Sequence, residues 1–558
     1  MKWRFWSAMG VSALHVMLIV GCGSNSGGSS SDSVSATAAA CISCHSSAVS
    51  PVTGLVIATE WQASTHSTQN AASCYDCHEP DPTHPSNCNQ CHGGGTLSTD
   101  SARHDVSTNP DADDKCKKCH GIEATRAQSG SVYGFSTAAL YRAHFNNVTA
   151  SFVSTRYKKN CRKCHNPHNP TGHIAINQEW KASGHGNNYA RPWNYTDFKT
   201  RGTAGADPAT SVATQCVRCH TATGYINYVS SNFTDISPWG LAEYNQTPRD
   251  RTKQVLACNA CHDDGNGNTY AFKRRSVPQV TAYYAYSTGA TKKFVLSHQF
   301  PDLATSNICM SCHAGREIGA VISEAKNRGF GNFSTSLINS HYLTGGATVF
   351  KISGYEYSGR SYENYSNYAH DIIGIGNHNG TGGDGPCVTC HLKPKRHSFL
   401  PVVKSGTTIT SVVSTVCAIC HPGGWQGVNP TTGYLYLQDK KAGYLAAIEA
   451  LKQQIKAKNY NVNSTGSQDW ERVYGSAGGP NTMGAFFNYY LLSHDYGGFA
   501  HNSRYVKRLL HDSIDWMYDG VLDADDVEVA INLLGALTAQ QKSDAINYIL
   551  GGSGGGRP

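Results

Sequence analysis

Methionine, long apolar runs and unmatched cysteine are all scarce in this chain. Of six methionines in 558 residues, only Met310, Met483 and Met517 lie beyond the first 21 positions. The main apolar stretch, Val11 to Val20, is too short to span a bilayer. Of 21 cysteines, only Cys22 falls outside one recurring pattern, which leaves no set of spare thiols for a disulfide framework. Acidic and basic residues nearly balance, 39 against 46. The apolar fraction is modest at 39%.

What is abundant is C-x-x-C-H. Ten copies occur: Cys41-Cys44-His45, Cys74-Cys77-His78, Cys88-Cys91-His92, Cys116-Cys119-His120, Cys161-Cys164-His165, Cys216-Cys219-His220, Cys258-Cys261-His262, Cys309-Cys312-His313, Cys387-Cys390-His391 and Cys417-Cys420-His421. At this spacing both thiols form thioethers to porphyrin vinyl groups, and the adjacent histidine becomes the proximal iron ligand. A single copy could be half a zinc site or a redox dithiol. A zinc array would not need histidine at the same position ten times, so ten covalently bound c-type haems are expected.

The first residues suggest where the haems are loaded. Residues 1–21 read as a secretory signal, with Lys2 and Arg4 ahead of the apolar run. The run ends Leu18-Ile19-Val20-Gly21-Cys22, which resembles a bacterial lipobox and predicts an acylated Cys22 as the mature N-terminus. Residues 22–40 form a Gly/Ser/Ala-rich tether behind that lipid, whose 18 residues past Cys22 reach about 23 Å. Export agrees with haem attachment, which takes place outside the cytoplasm. Without Lys2 and Arg4, 44 basic residues face 39 acidic ones. Ten haems with ionised propionates would bring the net charge to about −5 oxidised and about −15 reduced. A nucleic-acid partner is therefore not expected.

The remaining sequence divides into two haem lobes, 41–200 with motifs 1–5 and 201–430 with motifs 6–10, followed by a haem-free helical capping region at 431–550 and a disordered glycine-rich tail at 551–558. The fold class expected is a multihaem cytochrome c, mostly loops and short helices wrapped around stacked haems, with an α-helical C-terminal region. Little conventional core is expected in the lobes, because the porphyrins take its place. Apolar residues Leu445, Ile448, Leu451 and Ile455 follow a helical period within Lys440 to Lys458. Further helices are expected at Met483–Leu492, Ser503–Tyr518, Asp523–Leu537 and Ala539–Leu550. One internal repeat is visible: Glu60-Trp61-Gln62-Ala63-Ser64-Thr65-His66 matches Glu179-Trp180-Lys181-Ala182-Ser183-Gly184-His185. It reads as a duplicated module in which a helix presents a distal histidine.

The second axial ligand of each iron separates an electron carrier from a catalyst. Methionine is nearly excluded by its scarcity, and Met310 lies inside a haem motif. Histidine is plentiful: of 26, ten are proximal and His15 is in the signal, which leaves 15 for ten distal sites. The ten expected are His66, His84, His104, His144, His168, His185, His298, His341, His370 and His397, with His173, His378 and His501 in reserve. His494 and His511 suit helix packing better.

The signal and lipobox, the dense motif array, the stretch from His341 through Cys387-Cys390-His391 to His397, the segment Gly382-Gly383-Asp384-Gly385-Pro386-Cys387, and the tail residues Phe486, Asn488, Tyr489 and Ala500-His501-Asn502 together resemble the outer-surface multihaem c-type cytochromes of metal-reducing bacteria. The resemblance covers most of residues 41–550. It implies bis-histidine haems in alternating parallel and perpendicular pairs. It also implies electron relay from the periplasm, from other multihaem cytochromes or from a porin-cytochrome conduit to extracellular acceptors such as metal oxides. The location implied is the outer membrane, facing the cell surface.

Two other readings remain open on the residues. One is a multihaem oxidoreductase of the nitrite, hydroxylamine or tetrathionate class with one open haem; no C-x-x-C-K motif marks such a site, though a vacant distal position would leave no mark in the sequence. The other is a haem-filament subunit, which a lipid anchor disfavours because such a subunit must leave the membrane. On the leading reading the protein has no dedicated catalytic site, and metal reduction is outer-sphere.

Overall fold

The computed structural model describes residues 38–39, 41–43, 45–50, 54–64, 67, 74, 131–132, 135–136, 175–187, 217–234, 255–263, 273–287, 293–328, 340–342, 344–366, 368–393, 396–421, 433–460, 462, 479–523 and 525–558. The chain forms two compact units, Met1–Ala143 with Lys158–Ala175, and His144–Tyr157 with Ile176–Pro558. None of the described helices is long and apolar enough to cross a membrane.

In the first unit the helix Ile57–Gln62 follows a tight turn in which Ser50 and Leu55 pair their backbones and Gly54 takes φ +73°. The helix ends where the Ser64 hydroxyl donates to the Trp61 carbonyl at 2.6 Å. The second copy of the repeat, in the other unit, forms the helix Ala175–Ala182 and ends the same way, with Ser183 Oγ donating to Trp180 O at 2.6 Å. Serine competes well for backbone groups at helix ends, so this Trp-x-x-Ser pair stops the two helices within one residue of the same point in the repeat.

The haem-bearing part of the second unit is built from short helices and two-stranded hairpins. The described cysteines of the five motifs there lie on short helices: Cys219 on Val217–His220, and both cysteines of each other motif on Cys258–Cys261, Asn307–His313, Gly385–His391 and Val416–Cys420. A hairpin pairs Thr281–Ser287 with Lys293–Gln299, and a second, bulged one pairs Val402–Ser405 with Thr408–Val412. The expected fold class is borne out.

The C-terminal region is helical as expected, with shifted ends. Helices span Gly433–Ala457, Gly479–His494, Ser503–Asp519 and Ala539–Leu550. Of the stretch expected to be helical over Asp523–Leu537, the described residues form helix at Val527–Asn532, while Asp523, Asp525 and Asp526 before it are not helical and 533–537 make turns and bends. Val506, Leu509, Leu510, Ile514 and Met517 form one buried stripe at helical spacing on a helix that packs against Gly479–His494, where Phe486, Phe487 and Leu491 are also buried. Asn502 caps the start of this helix by accepting from Tyr505 N, and Gly520 in the left-handed region ends it.

This region shares its core with the haem-bearing part. Buried Asn488 accepts from Tyr355 N at 2.7 Å and donates to Tyr355 O at 3.0 Å, so its amide pairs with the loop as a neighbouring strand would. Gly354 donates to Tyr505 Oη at 2.9 Å, and a side chain there would run into Leu509.

The tail 551–558, expected to be disordered, is held in place. Arg557 makes two 2.7 Å bonds to the carboxylate of fully buried Asp512, which also accepts from Tyr362 Oη at 2.6 Å and meets His511 Nδ1 at 3.0 Å. A bidentate guanidinium on a buried carboxylate outweighs the entropy of a short glycine-rich segment, which composition alone does not reveal. Burial pushes the Asp512 carboxyl up, but the bonds from Arg557, His511 and Tyr362 prevail and hold it at about 2. Asp512→Asn should lower unfolding stability by about 3 kcal/mol at pH 7, read as a lower urea midpoint. The contribution is complete above about pH 4 and is lost as pH falls through about 2, so the gap between wild type and variant should narrow over that range.

Candidate haem centres

Motif 8 is central to the described part of the second unit. Its helix, Asn307–His313, is held from three sides by hydroxyl groups. Tyr225 Oη donates to Ile308 O at 2.9 Å, and Tyr284 Oη from the first hairpin donates to Ala314 O at 3.0 Å. Ser306 donates to Asp384 O at 2.8 Å and accepts from Val388 N at 3.0 Å, which fastens motif 8 to motif 9. Gly385 makes that approach possible, since a Cβ there would lie 2.0 Å from Leu303 O.

The helix of motif 6 packs on that of motif 8, motif 8 on motif 9, and motif 9 on motif 10. Cys219 lies within hydrogen-bond reach of Cys312, and Cys309 within reach of Cys387. Cys261 of motif 7 lies near Cys309 and Cys312. None of the eleven described cysteines forms a disulfide with another described cysteine.

Two imidazoles bound on opposite sides of one iron, each at a metal–nitrogen distance of about 2 Å, have ring centres about 6.3 Å apart. Four described pairs match that spacing. His220 faces His341 at 5.9 Å, His262 faces His397 at 6.1 Å, His185 faces His313 at 6.2 Å, and His391 faces His501 at 6.2 Å. For the fifth described motif, burial and then the nearby charge of His370 lower the basicity of His421, which puts His370 beside it.

The outer nitrogens of several of these rings are already engaged. His391 Nδ1 lies 2.8 Å from Phe399 O, and His370 Nδ1 lies 2.8 Å from Ala500 O. His501 Nδ1 meets the Asp495 carboxylate at 2.9 and 3.2 Å. Bonds at Nδ1 fix the tautomer and leave Nε2 for a metal. The residues therefore fit axial ligation of c-type haem.

His185 is positioned by the repeat. The Ser183 hydroxyl that ends its helix also accepts from His185 N at 3.2 Å, and Trp180 Nε1 donates to Leu256 O at 2.9 Å, just before motif 7. Glu179 accepts from His397 N at 2.6 Å and pairs with Arg396 at 3.4 Å, so this helix also orients the histidine that faces motif 7. Phe399 lies edge-on to both rings, 4.4 Å from His185 and 6.0 Å from His397.

Of the expected distal histidines, His185, His341 and His397 each stand opposite a motif histidine, and His370 is beside one. His298 lies on a hairpin strand with its ring edge-on to Phe300, and no described ring pair joins it to a motif. His501, held in reserve on the sequence, stands opposite His391. It comes from the region expected to be haem-free, and the tail segment Ala500-His501-Asn502 was the signal that could have promoted it. His494 packs between Tyr342 and Tyr490, and His511 is buried on Asp512, as their helical setting suggested. His66, His84, His104, His144 and His168, motifs 3–5, Cys44, Cys77, His78, Cys216 and Cys22 lie outside the described residues.

Comparison with known proteins agrees with this chemistry. The family described as the doubled CXXCH motif matches residues 35–83, and the cytochrome c554 and c-prime family matches residues 160–235. The chain contains multihaem c-type cytochrome domains. It is 38% identical over 370 residues to the C-type polyheme cytochrome OmcB of Geobacter sulfurreducens, covering 58% of this chain and 47% of OmcB. It is 37% identical over 358 residues to OmcC of the same organism, covering 57% of this chain and 44% of OmcC. The chain thus spans about half the length of the curated relatives it matches. No solved structure matches it. These polyheme homologues support a multihaem electron-transfer role.

Trp180→Phe removes one hydrogen bond and leaves the Leu256 carbonyl unpaired between the repeat helix and motif 7. It should destabilise the holoprotein by about 1–3 kcal/mol, measured by urea unfolding.

Proposed function

We propose that this protein is a decahaem c-type cytochrome that relays electrons through bis-histidine haems at the cell envelope toward extracellular acceptors such as metal oxides. The observation that carries the proposal is the spacing of the four histidine pairs, 5.9 to 6.2 Å, each joining a motif histidine to one distant in sequence. When bound, c-type haem supplies a one-electron iron couple that needs no substrate site. On this reading His341, His397, His185, His501 and His370 close the distal sides of motifs 6, 7, 8, 9 and 10, with proximal His220, His262, His313, His391 and His421.

The chain's own residues then perform three tasks. Backbone carbonyls and Asp495 orient the ligating rings, and the packed imidazoles exclude other ligands from the iron. Contacts such as the Ser306 bridge hold successive motifs together, so that electrons move in the order motif 6, 8, 9, 10, with motif 7 beside 8. The remaining distal ligands fall to His66, His84, His104, His144 and His168.

The lobes at 41–200 and 201–430 and the capping region at 431–550 belong to the same proposal, as does a lipid on Cys22 that anchors the chain to the outer membrane facing outward. Its partners are then other multihaem cytochromes or a porin-cytochrome conduit. The covalent attachment chemistry of c-type haem supports export.

A dithionite-reduced sample should contain ten haems per chain by pyridine haemochrome assay and show no Soret change with carbon monoxide. His185→Gly should open one haem to carbon monoxide, whereas His298→Gly should open none. A carbon monoxide response equivalent to one haem in the wild-type protein would overturn the closed relay and favour the oxidoreductase reading.

A further inference from the structure

The histidine opposite motif 9 is held differently from its neighbours. Asp495 is 1% exposed and lies in the turn between the helices Gly479–His494 and Gly498–His501. Its carboxylate meets His501 Nδ1 at 2.9 and 3.2 Å and accepts from Gly497 N at 3.2 Å. The Thr348 hydroxyl also reaches it, while its backbone carbonyl accepts from Tyr444 Oη at 2.9 Å. The His501 ring has little freedom to turn. A methyl group at Gly345 would fall 2.4 Å from its Cε1, and one at Gly497 would fall 2.7 Å away. By contrast, His391 and His370 place Nδ1 against neutral backbone carbonyls.

A carboxylate accepts a stronger hydrogen bond from an imidazole N–H than a carbonyl does. It draws the proton away from the ring and makes the opposite nitrogen a more basic ligand. A more electron-rich ligand favours ferric over ferrous iron and so lowers the reduction potential. We propose that Asp495 is a positioning residue that, through His501, sets the motif 9 haem at a lower potential than its ligands alone would give. This rests on the reading of His391 and His501 as the two ligands of that iron.

The test uses holoprotein in a potentiometric titration followed by optical and electron paramagnetic resonance spectra. Asp495→Asn retains the size of the side chain and removes its charge. It should leave all irons low-spin and move one couple positive by at least a tenfold change in equilibrium, about 59 mV for one electron. If the asparagine variant does not accumulate, Asp495→Ser is read the same way. His501→Gly tests the underlying ligation and should give one high-spin haem that binds carbon monoxide. If His501→Gly opens a haem but loss of the Asp495 charge moves no potential, the role of Asp495 is overturned while the ligation stands. If His501→Gly leaves every haem low-spin and closed, the ligation fails and the role of Asp495 fails with it.

Discussion

On the proposed bis-histidine reading, the fixed gap between two imidazole rings is the constraint on which the rest of the described haem-motif part depends. A motif histidine is placed by its own short helix, but the ring facing it must arrive from elsewhere, aligned to within fractions of an ångström. His313 meets a ring 128 positions earlier in the chain, and His391 one 110 positions later. Each such pair ties together distant segments, which also share an apolar core through Tyr225, Tyr284, Phe300, Met310 and Val321, more conventional packing than the sequence suggested for this part. The loops and hairpins between them need only carry histidines to the right places and satisfy their own backbone groups.

Local hydrogen bonds supply the alignment. The Ser183 hydroxyl, which ends a helix, also binds the amide of His185. Glu179 on the same helix binds the amide of His397, so one short element orients the rings facing two different motifs. Phe399 completes the arrangement: its ring fills the space between His185 and His397, and its carbonyl fixes the tautomer of His391. On the proposed ligation, side chains that touch no iron thus decide where the ligands point, as second-layer contacts do in metal sites generally.

The C-terminal helices serve two roles. They form an ordinary apolar core around Leu451, Phe486, Leu509 and Ile514, which the haem-bearing part joins through Asn488 and Tyr505. They also end in a turn that brings His501 to motif 9 on a buried carboxylate. On the proposed ligation, a segment without a single cysteine takes part in a haem centre. The pinned tail has a similar lesson, because Arg557 finds Asp512 through folding, with no pattern linking the two in the sequence.

By itself, the sequence determined the c-type haem chemistry, the histidine of each C-x-x-C-H motif as the candidate proximal ligand, the duplicated Trp-x-x-Ser-x-His module and most of the C-terminal helices. All of these depend on contacts within a few residues: thioether spacing, a helical period, a serine at a helix end. Only the tertiary structure decided that His501 rather than a nearer histidine faces His391, that motif 6 adjoins motif 8, and that the glycine-rich tail is ordered. A distal ligand is chosen by distance in space, and neither spacing nor composition encodes which of many surplus histidines the fold will carry there. The same holds for Asp495, an unremarkable acid in the sequence that becomes significant only once burial places it against the ring of His501.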